Sequence, residues 1–322
     1  MKFIVKLLTT AAVALGAAAG GALAEYPDRP VTIIVPWGAG GGTDTIIRVF
    51  AIGFEEAMGQ PINVVNRDGG SGVVGHAAIA QSRPDGYTLG ACTPEITYFK
   101  PVGLADITPE NFTLISRLAL IPAGLTVAKD SEYKDLPALI EAFRAEPAGT
   151  FTSSGSGIGG TWHMATAGLL RTIGEPIDKI DFIPSKGGAP ALQDLVSGGL
   201  NLFTGSPVEA KALADAGEVN ILAIMSDERS PAFPDVPTLK ESGIDFSIAN
   251  WFSLCGPAGL PEDITARIAA AAGTAHASAV VQDALAQRGI TPYFDGPEAF
   301  AAFATDFSAE AGELLGELGL VK

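Results

Sequence analysis

Short apolar runs rich in β-branched residues alternate with helical segments along most of the chain. Two such runs are VTIIVP (31–36) and INVVN (62–66), and the spacing of apolar residues predicts a helix from about 43 to 58. Strands that alternate with helices are typical of α/β units built on mostly parallel sheets. There are more units than one small sheet holds comfortably, so the pattern predicts an α/β protein with two lobes.

Two segments that contain proline mark the predicted passages between the lobes. In LALIPAGLTVAKD, Pro122 and Gly124 interrupt an apolar stretch, and in LAIMSDERSPAFPDVPTL several prolines follow a strand. We therefore expect residues 25–125 and 224–322 to form one lobe and residues 126–223 to form the other. Two lobes joined by two crossings leave a cleft, where small ligands usually bind.

The first 24 residues have the layout of a secretory signal peptide. Lys2 and Lys6 precede an apolar stretch, and an A-x-A sequence ends at Ala24. The apolar stretch is short and broken by glycines, which disfavours a membrane anchor. We expect residues 1–24 to be a signal peptide that is cleaved after Ala24, and the mature protein to be periplasmic.

Charge and residue types exclude several classes of function. The formal net charge is −16, and no basic stripe is present to neutralise the phosphates of a nucleic acid. The chain has three histidines without the spacing of a metal site, and it has no G-x-S-x-G nucleophile motif. We expect no nucleic-acid partner, no catalytic residues, no metal and no cofactor.

The two cysteines leave two possibilities open. An oxidising compartment permits a disulfide between Cys92 and Cys255. Each cysteine lies in an apolar segment that resembles a strand, LGACT or FSLCGP. Two buried free thiols are therefore at least as reasonable an interpretation as one disulfide.

A first glycine-rich turn, PWGAGGGTD (36–44), follows a predicted strand and precedes a predicted helix. It lacks the lysine of a P-loop, and Thr43 stands where the Rossmann motif needs its third glycine. What remains is a set of backbone N–H groups at a helix N-terminus, which suits a carboxylate as well as a phosphate. Asp44 in the first helical turn either contacts the ligand or bonds the backbone N–H groups of the loop.

A second glycine-rich turn, SSGSGIGGTW, does satisfy G-x-G-x-x-G with Gly155, Gly157 and Gly160. Asp178 lies at a suitable distance downstream for a contact to a ribose. The alternative function is therefore an exported enzyme that holds a nucleotide cofactor in the Gly155–Gly160 loop. Against it, the motif is common by chance in glycine-rich chains, and its serines suit an oxyanion better than a closely packed pyrophosphate.

The order of motifs resembles the solute-binding proteins of the tripartite tricarboxylate transporter family, the Bug-type receptors. The resemblance covers almost the whole mature chain, from YPDRPVTIIVPWGAGGGTD and NRDGGSGVVGHAAIAQSRPDGYTL to GSGIGGTWHMA, SKGGAPALQDLVSGGLNLF, ERSPAFPDVPTLKESG and WFSLCGPAGLPEDI. It implies a two-lobe periplasmic binding-protein fold, similar to type II, that closes over a small organic carboxylate. It also implies a monomer that delivers its ligand to a membrane permease.

In such receptors one carboxylate is held by the backbone and hydroxyl groups of the two glycine-rich loops, partly through ordered water, and the resemblance implies that the KGGAPA turn and the strand end at 204–206 complete the wall of the site. By position, the resemblance implies these ligand-binding residues: Trp37, Ala39, Gly40, Thr43, Asp44, Ser154, Ser156, Gly157, Gly159, Thr161, Lys186, Gly188, Ala189, Thr204 and Ser206. Ser185 stands where the family often has an aromatic residue, and FTGSP differs from the usual form. The resemblance therefore does not identify the acid.

Overall fold

The computed structural model describes residues 26–185 and 187–322, so the predicted signal peptide and Lys186 lie outside the described residues. The strands are β1 (Val31–Val35), β2 (Ile62–Asn66), β3 (Thr88–Cys92), β4 (Phe112–Pro122), β5 (Gly124–Ala128), β6 (Phe151–Ser154), β7 (Ile180–Phe182), β8 (Leu202–Phe203), β9 (Val219–Ile224), β10 (Ala249–Pro257) and β11 (Thr291–Pro292). The helices are α1 (Gly42–Met58), α2 (Val73–Ala80), α3 (Leu136–Ala145), α4 (Thr161–Thr172), α5 (Gly188–Val196), α6 (Pro207–Asp215), α7 (Glu262–His276), α8 (Ala279–Ala286) and α9 (Pro297–Glu317).

The strands form two sheets with related orders. The first sheet has the order β11-β4-β10-β3-β1-β2, and the second has the order β7-β6-β8-β5-β9. In each sheet the strand that starts the unit, β1 or β6, lies between the two strands that follow it through helices. This is the predicted α/β architecture, and its strands are divided between two sheets.

The prediction of mostly parallel sheets is wrong, because both sheets are mixed. β1 pairs in parallel with β2 and β3, and β6 pairs in parallel with β7 and β8. β10 is antiparallel to both β3 and β4, and β5 is antiparallel to β8 and β9. β4 leads out of the first sheet and β10 leads back into it, so the two strands run in opposite directions side by side.

The two cysteines form a disulfide that joins β3 to β10. Free thiols, the other interpretation of the sequence, are therefore wrong. Cys92 and Cys255 are 163 residues apart in sequence, but the pairing of β10 with β3 brings their Cα atoms to 5.9 Å. The sequence does not reveal that pairing, because β10 enters the sheet from a distant part of the chain.

Helix α1 shows how the apolar pattern packs a helix against the first sheet. Its residues Ile46, Ile47, Phe50, Phe54 and Met58 recur at helical spacing and are buried. The helix ends at a glycine in the left-handed conformation, which is the usual C-terminal cap. Burial of this face holds the amino end of α1 at the carboxyl end of β1. Within the described residues, none of the helices has both the length and the apolar character required to cross a membrane.

The parallel pairings decide which loops lie at the same edge of each sheet. β1 and β3 end at the same edge of the first sheet, and β6 and β8 end at the same edge of the second. Ligands of open α/β sheets bind beyond the carboxyl ends of such strands. The two glycine-rich turns, here called the first loop (36–41) and the second loop (155–160), both lie at these edges.

Candidate functional site

The first loop presents backbone N–H groups at the start of α1. Gly41 is the N-cap residue, and no side-chain cap bonds the helix start. Gly40 has φ +80°, a conformation that glycine adopts at little cost. Ala39 is exposed, whereas Thr43 is buried. The loop therefore offers donors and a positive helix end.

Asp44 holds the first loop in shape. Its carboxylate accepts hydrogen bonds from the Gly40 N–H (2.8 Å), the Arg48 Nε (2.9 Å) and the Asn66 Nδ2 (2.8 Å). Asn66 also donates to the Trp37 carbonyl (3.0 Å). Burial alone would raise the pKa of Asp44, but the bonds from Arg48, Gly40 and Asn66 together hold it below its ordinary value. The geometry therefore favours the loop-bonding role of Asp44 over direct contact with a ligand.

A buried histidine ties the first loop to the end of β3. The Trp37 Nε1 donates to the Thr93 Oγ1 (3.2 Å), and the Thr93 N–H donates to the His76 Nε2 (3.4 Å). The other ring nitrogen lies 2.9 Å from the Gly72 carbonyl oxygen. A neutral ring with its proton on Nδ1 satisfies both contacts. Burial lowers the pKa of His76 to about 4, against a smaller opposing effect of the bond to Gly72.

This neutral histidine predicts a loss of stability in acid. The contribution of His76 to the free energy of unfolding should be greatest above pH 6.5 and smaller by about 3 kcal/mol at pH 4, because the unfolded chain then binds the proton more tightly. We expect His76→Gln to lack this part of the decline, as measured by urea unfolding at pH 7 and pH 4. Parallel pH profiles for the two proteins would contradict the assignment.

The second loop repeats the arrangement of the first. Gly160 is the N-cap of α4, again without a side-chain cap. The Gly159 N–H donates to the His163 Nδ1 (3.0 Å), and Gly159 has φ +75°. Ser156 is partly exposed and Gly157 is exposed. The Thr161 hydroxyl donates to the Asn250 Oδ1 (3.3 Å), which joins the second loop to the first sheet.

Three hydroxyl residues predicted to bind ligand lie deeper in the second sheet. The Thr204 Oγ1 lies 2.8 Å from the Thr166 Oγ1, and it also donates to the Trp162 carbonyl. The Ser206 hydroxyl caps α6 by accepting from the Glu209 N–H. Ser154 differs, because its buried Oγ has no hydrogen-bond partner among the described residues. Thr204 and Ser206 thus support the strand end.

The third predicted segment, the turn before α5, is tied to the second loop. The Ser185 N–H donates to the Ser156 carbonyl (2.8 Å). Ala189 is exposed, and the carboxyl group of Glu209 lies directly against Gly188 at the helix start. Burial raises the pKa of Glu209. The chain therefore places one of its own acids at this helix N-terminus, and Lys186 is outside the described residues.

Two residues that were not predicted from the sequence, Glu95 and Tyr98, lie between the loops. Both belong to the segment that follows β3, whose end is held by Thr93 against the first loop. On the other side, the Tyr98 hydroxyl lies 3.8 Å from the position that a Cβ on Gly160 would take. The signal available in the sequence was the position of TPE directly after a strand.

One cavity has no residue of either loop in its walls. Its volume is about 720 Å³, and it is bounded by the ends of β4 and β10, the segment after β9, and α9. Its walls include Trp251, Phe303 and Phe307, while Arg117 is paired with Asp295. A carboxylate needs donors that are not already paired. The loops meet that need better than this cavity does.

Among the described residues there is no group of three or more histidine, cysteine or acidic residues placed to hold a metal ion.

Residues 46–320 match the model of the TctC family, the tripartite tricarboxylate transporter family receptors. Protein BugT of Bordetella pertussis is 31% identical over 296 residues, which cover 90% of each chain. These matches cover nearly the whole described chain.

Solved structures agree with the family match. A TctC solute-binding protein from Polaromonas has 34% identity and a TM-score of 0.77, over 91% of this chain and 99% of its own. An R. palustris protein with bound adipate has 28% identity and a TM-score of 0.80, over 92% and 99%. The relatives are solute-binding proteins, so the alternative of a nucleotide-dependent enzyme is not supported. The chain belongs to the TctC family of tripartite tricarboxylate transporter receptors, and it is a solute-binding receptor of the two-lobe periplasmic binding-protein fold.

Proposed function

We propose that this receptor captures a small organic carboxylate between the first and second loops and delivers it to the membrane permease of a tripartite tricarboxylate-type transporter. The observation that carries the proposal is the pair of helix starts at Gly41 and Gly160, neither of which has a side-chain cap. A helix N-terminus without a cap is an anion-binding site. Two of them lie at the carboxyl ends of equivalent strands.

Neutral donors suit a carboxylate that must be both bound and released. Backbone N–H groups and hydroxyls bond a charged oxygen strongly, and they avoid the desolvation of a buried cation. The adipate bound by the R. palustris relative is a dicarboxylate. That chemistry supports an organic acid as the solute of this receptor and leaves its length and substituents to experiment.

We further propose that residues 25–125 and 224–322 form one lobe, residues 126–223 form the other, and closure of the lobes signals occupancy to the permease. The strands of the second sheet lie between residues 124 and 224, which supports this division. The protein would be a periplasmic monomer cleaved after Ala24. Mass measurement of the exported protein tests the cleavage site.

Hydroxyl groups at the two helix starts are expected to contribute to affinity. Thr43→Val and Ser156→Ala should each weaken binding of the acid about tenfold, because a hydrogen bond to a charged group contributes roughly 1.5–3 kcal/mol. Calorimetric titration measures the affinity, and urea unfolding should show little change in stability. Thr305→Val and Ser197→Ala make the same changes at exposed sites and serve as controls.

The solute class is tested by thermal unfolding with a panel of organic acids. Monocarboxylates, dicarboxylates, tricarboxylates and aromatic acids should be compared, since a bound ligand raises the unfolding temperature. We expect at least one acid to stabilise the protein, and Thr43→Val with Ser156→Ala to reduce that shift. If no acid stabilises the protein, the proposed function is wrong. Unchanged affinity in both variants would instead refute the assignment of the site.

A further inference from the structure

Glu95 is a partly buried acid beside the loops where the receptor is expected to hold its ligand. It follows the carboxyl end of β3, directly beside the end of β1 and therefore beside the first loop. Its Oε2 is buried and has no hydrogen-bond partner among the described residues. A buried carboxyl oxygen without a partner is strongly unfavourable. Among the described residues no ion pair includes Glu95, so its carboxyl is open to a cationic partner from outside the chain.

The neighbours of Glu95 connect the two loops. Thr93, two residues earlier, accepts a hydrogen bond from Trp37 of the first loop. Tyr98, three residues later, lies against Gly160 at the start of α4. The Tyr98 hydroxyl is also buried without a hydrogen-bond partner among the described residues. The Tyr98 side chain interacts with both the Glu95 carboxyl and Thr161, so the two polar groups lie together between the two helix starts.

The charge of Glu95 is not balanced by the groups that act on it. Burial raises the pKa of its carboxyl, and the smaller opposing effects come from the Thr93 side chain, its own backbone and the Tyr98 side chain. None of these groups is a cation. A buried carboxylate next to the bound carboxylate of a solute would repel it unless a positive group lies between them.

On the basis of the proposed function, we propose that Glu95 is a specificity-determining residue that receives the ammonium group of the solute. The solute is then an amino acid, with its carboxylate at the helix starts and its ammonium at Glu95. Tyr98 adds a hydroxyl beside the same group. An organic acid without an ammonium would leave the acid unpaired, so the receptor should select against it.

The test compares acids that differ only in the ammonium group. Calorimetric titration would use four pairs: propionate and L-alanine, succinate and L-aspartate, glutarate and L-glutamate, and 3-phenylpropionate and L-phenylalanine. Malate beside succinate and L-aspartate tests a hydroxyl in place of the ammonium. For the best-bound pair, we expect the amino acid to bind at least about tenfold more tightly than its partner, which is about 1.4 kcal/mol.

Variants then assign the preference to Glu95. Glu95→Gln should weaken amino-acid binding at least tenfold and bring the two members of the pair within about threefold of each other. Tyr98→Phe should produce a smaller loss of the same kind. Glu56→Gln makes the identical change at an exposed position near the end of α1 and should leave the preference intact. Thermal unfolding without ligand confirms that each variant is folded.

The outcomes separate this inference from the proposed function. If acids bind but the amino acid is not preferred, if malate is preferred to both succinate and L-aspartate, or if Glu95→Gln leaves the preference unchanged, the role of Glu95 is wrong and the carboxylate receptor stands. If no member of any pair binds while another acid of the panel does, the role of Glu95 is wrong as well; if no acid of the panel binds, the proposed function itself fails.

Discussion

Replacing both Cys92 and Cys255 with alanine is expected to lower the free energy of unfolding by about 4 kcal/mol. The disulfide connects residues 163 positions apart, and a link across so long a loop removes much entropy from the unfolded chain. It also joins β3 to β10, the strand that returns to the first sheet. Urea unfolding followed by tryptophan fluorescence should show the lower stability as a lower midpoint.

A reductant supplies the matched control for this prediction. Added to the unmodified protein, it should reproduce the loss of stability, and added to the double alanine variant it should have no effect. The same urea midpoint for both proteins under oxidising conditions would show that the cross-link contributes nothing.

Asp44→Asn, in the first turn of α1, should strongly disturb the first loop. An amide places an NH₂ group among donors from Gly40, Arg48 and Asn66, which the carboxylate now satisfies. We expect a loss of about 2 kcal/mol in stability, because the substitution removes a buried carboxylate that accepts several hydrogen bonds, although its partner Arg48 is half exposed and can be solvated by water. Affinity for the acid should fall at least tenfold, because the loop N–H groups lose their fixed positions.

Asp283→Asn makes the same change on an exposed part of α8 and should alter neither stability nor affinity. A loss of affinity without a loss of stability in Asp44→Asn would reveal direct contact between Asp44 and the ligand. Urea unfolding and calorimetry on the same preparation measure the two quantities.

Much of the fold follows from local patterns in the sequence. The predicted run INVVN coincides with β2, and the helix predicted from about 43 to 58 agrees with α1 within one residue. Glycines mark the two ends of α1, and its apolar residues recur at the spacing of a helix. The strand β4 was not predicted, because Thr113, Ser116 and Arg117 interrupt its apolar residues without the regular alternation of a half-buried strand.

The sequence indicates the candidate site in outline and not in detail. Glycines before a predicted helix indicate free N–H groups, so the two loops could be identified from the chain. The partners of Asp44, and the place of Glu95 between the loops, depend on which strands are neighbours. That information lies in the pairing of β1 with β3 and β10 with β3. Contacts between residues far apart in sequence carry no local signal.

A crystal structure of the receptor with its best-bound acid tests the central claim most directly. We predict that carboxylate oxygens of the acid lie about 3 Å from backbone N–H groups at the starts of α1 and α4. Both loops should contribute to one site, with the Thr43 and Ser156 hydroxyls at its edge. An acid bound in the 720 Å³ cavity beside Trp251, with both helix starts open to water, would contradict the account.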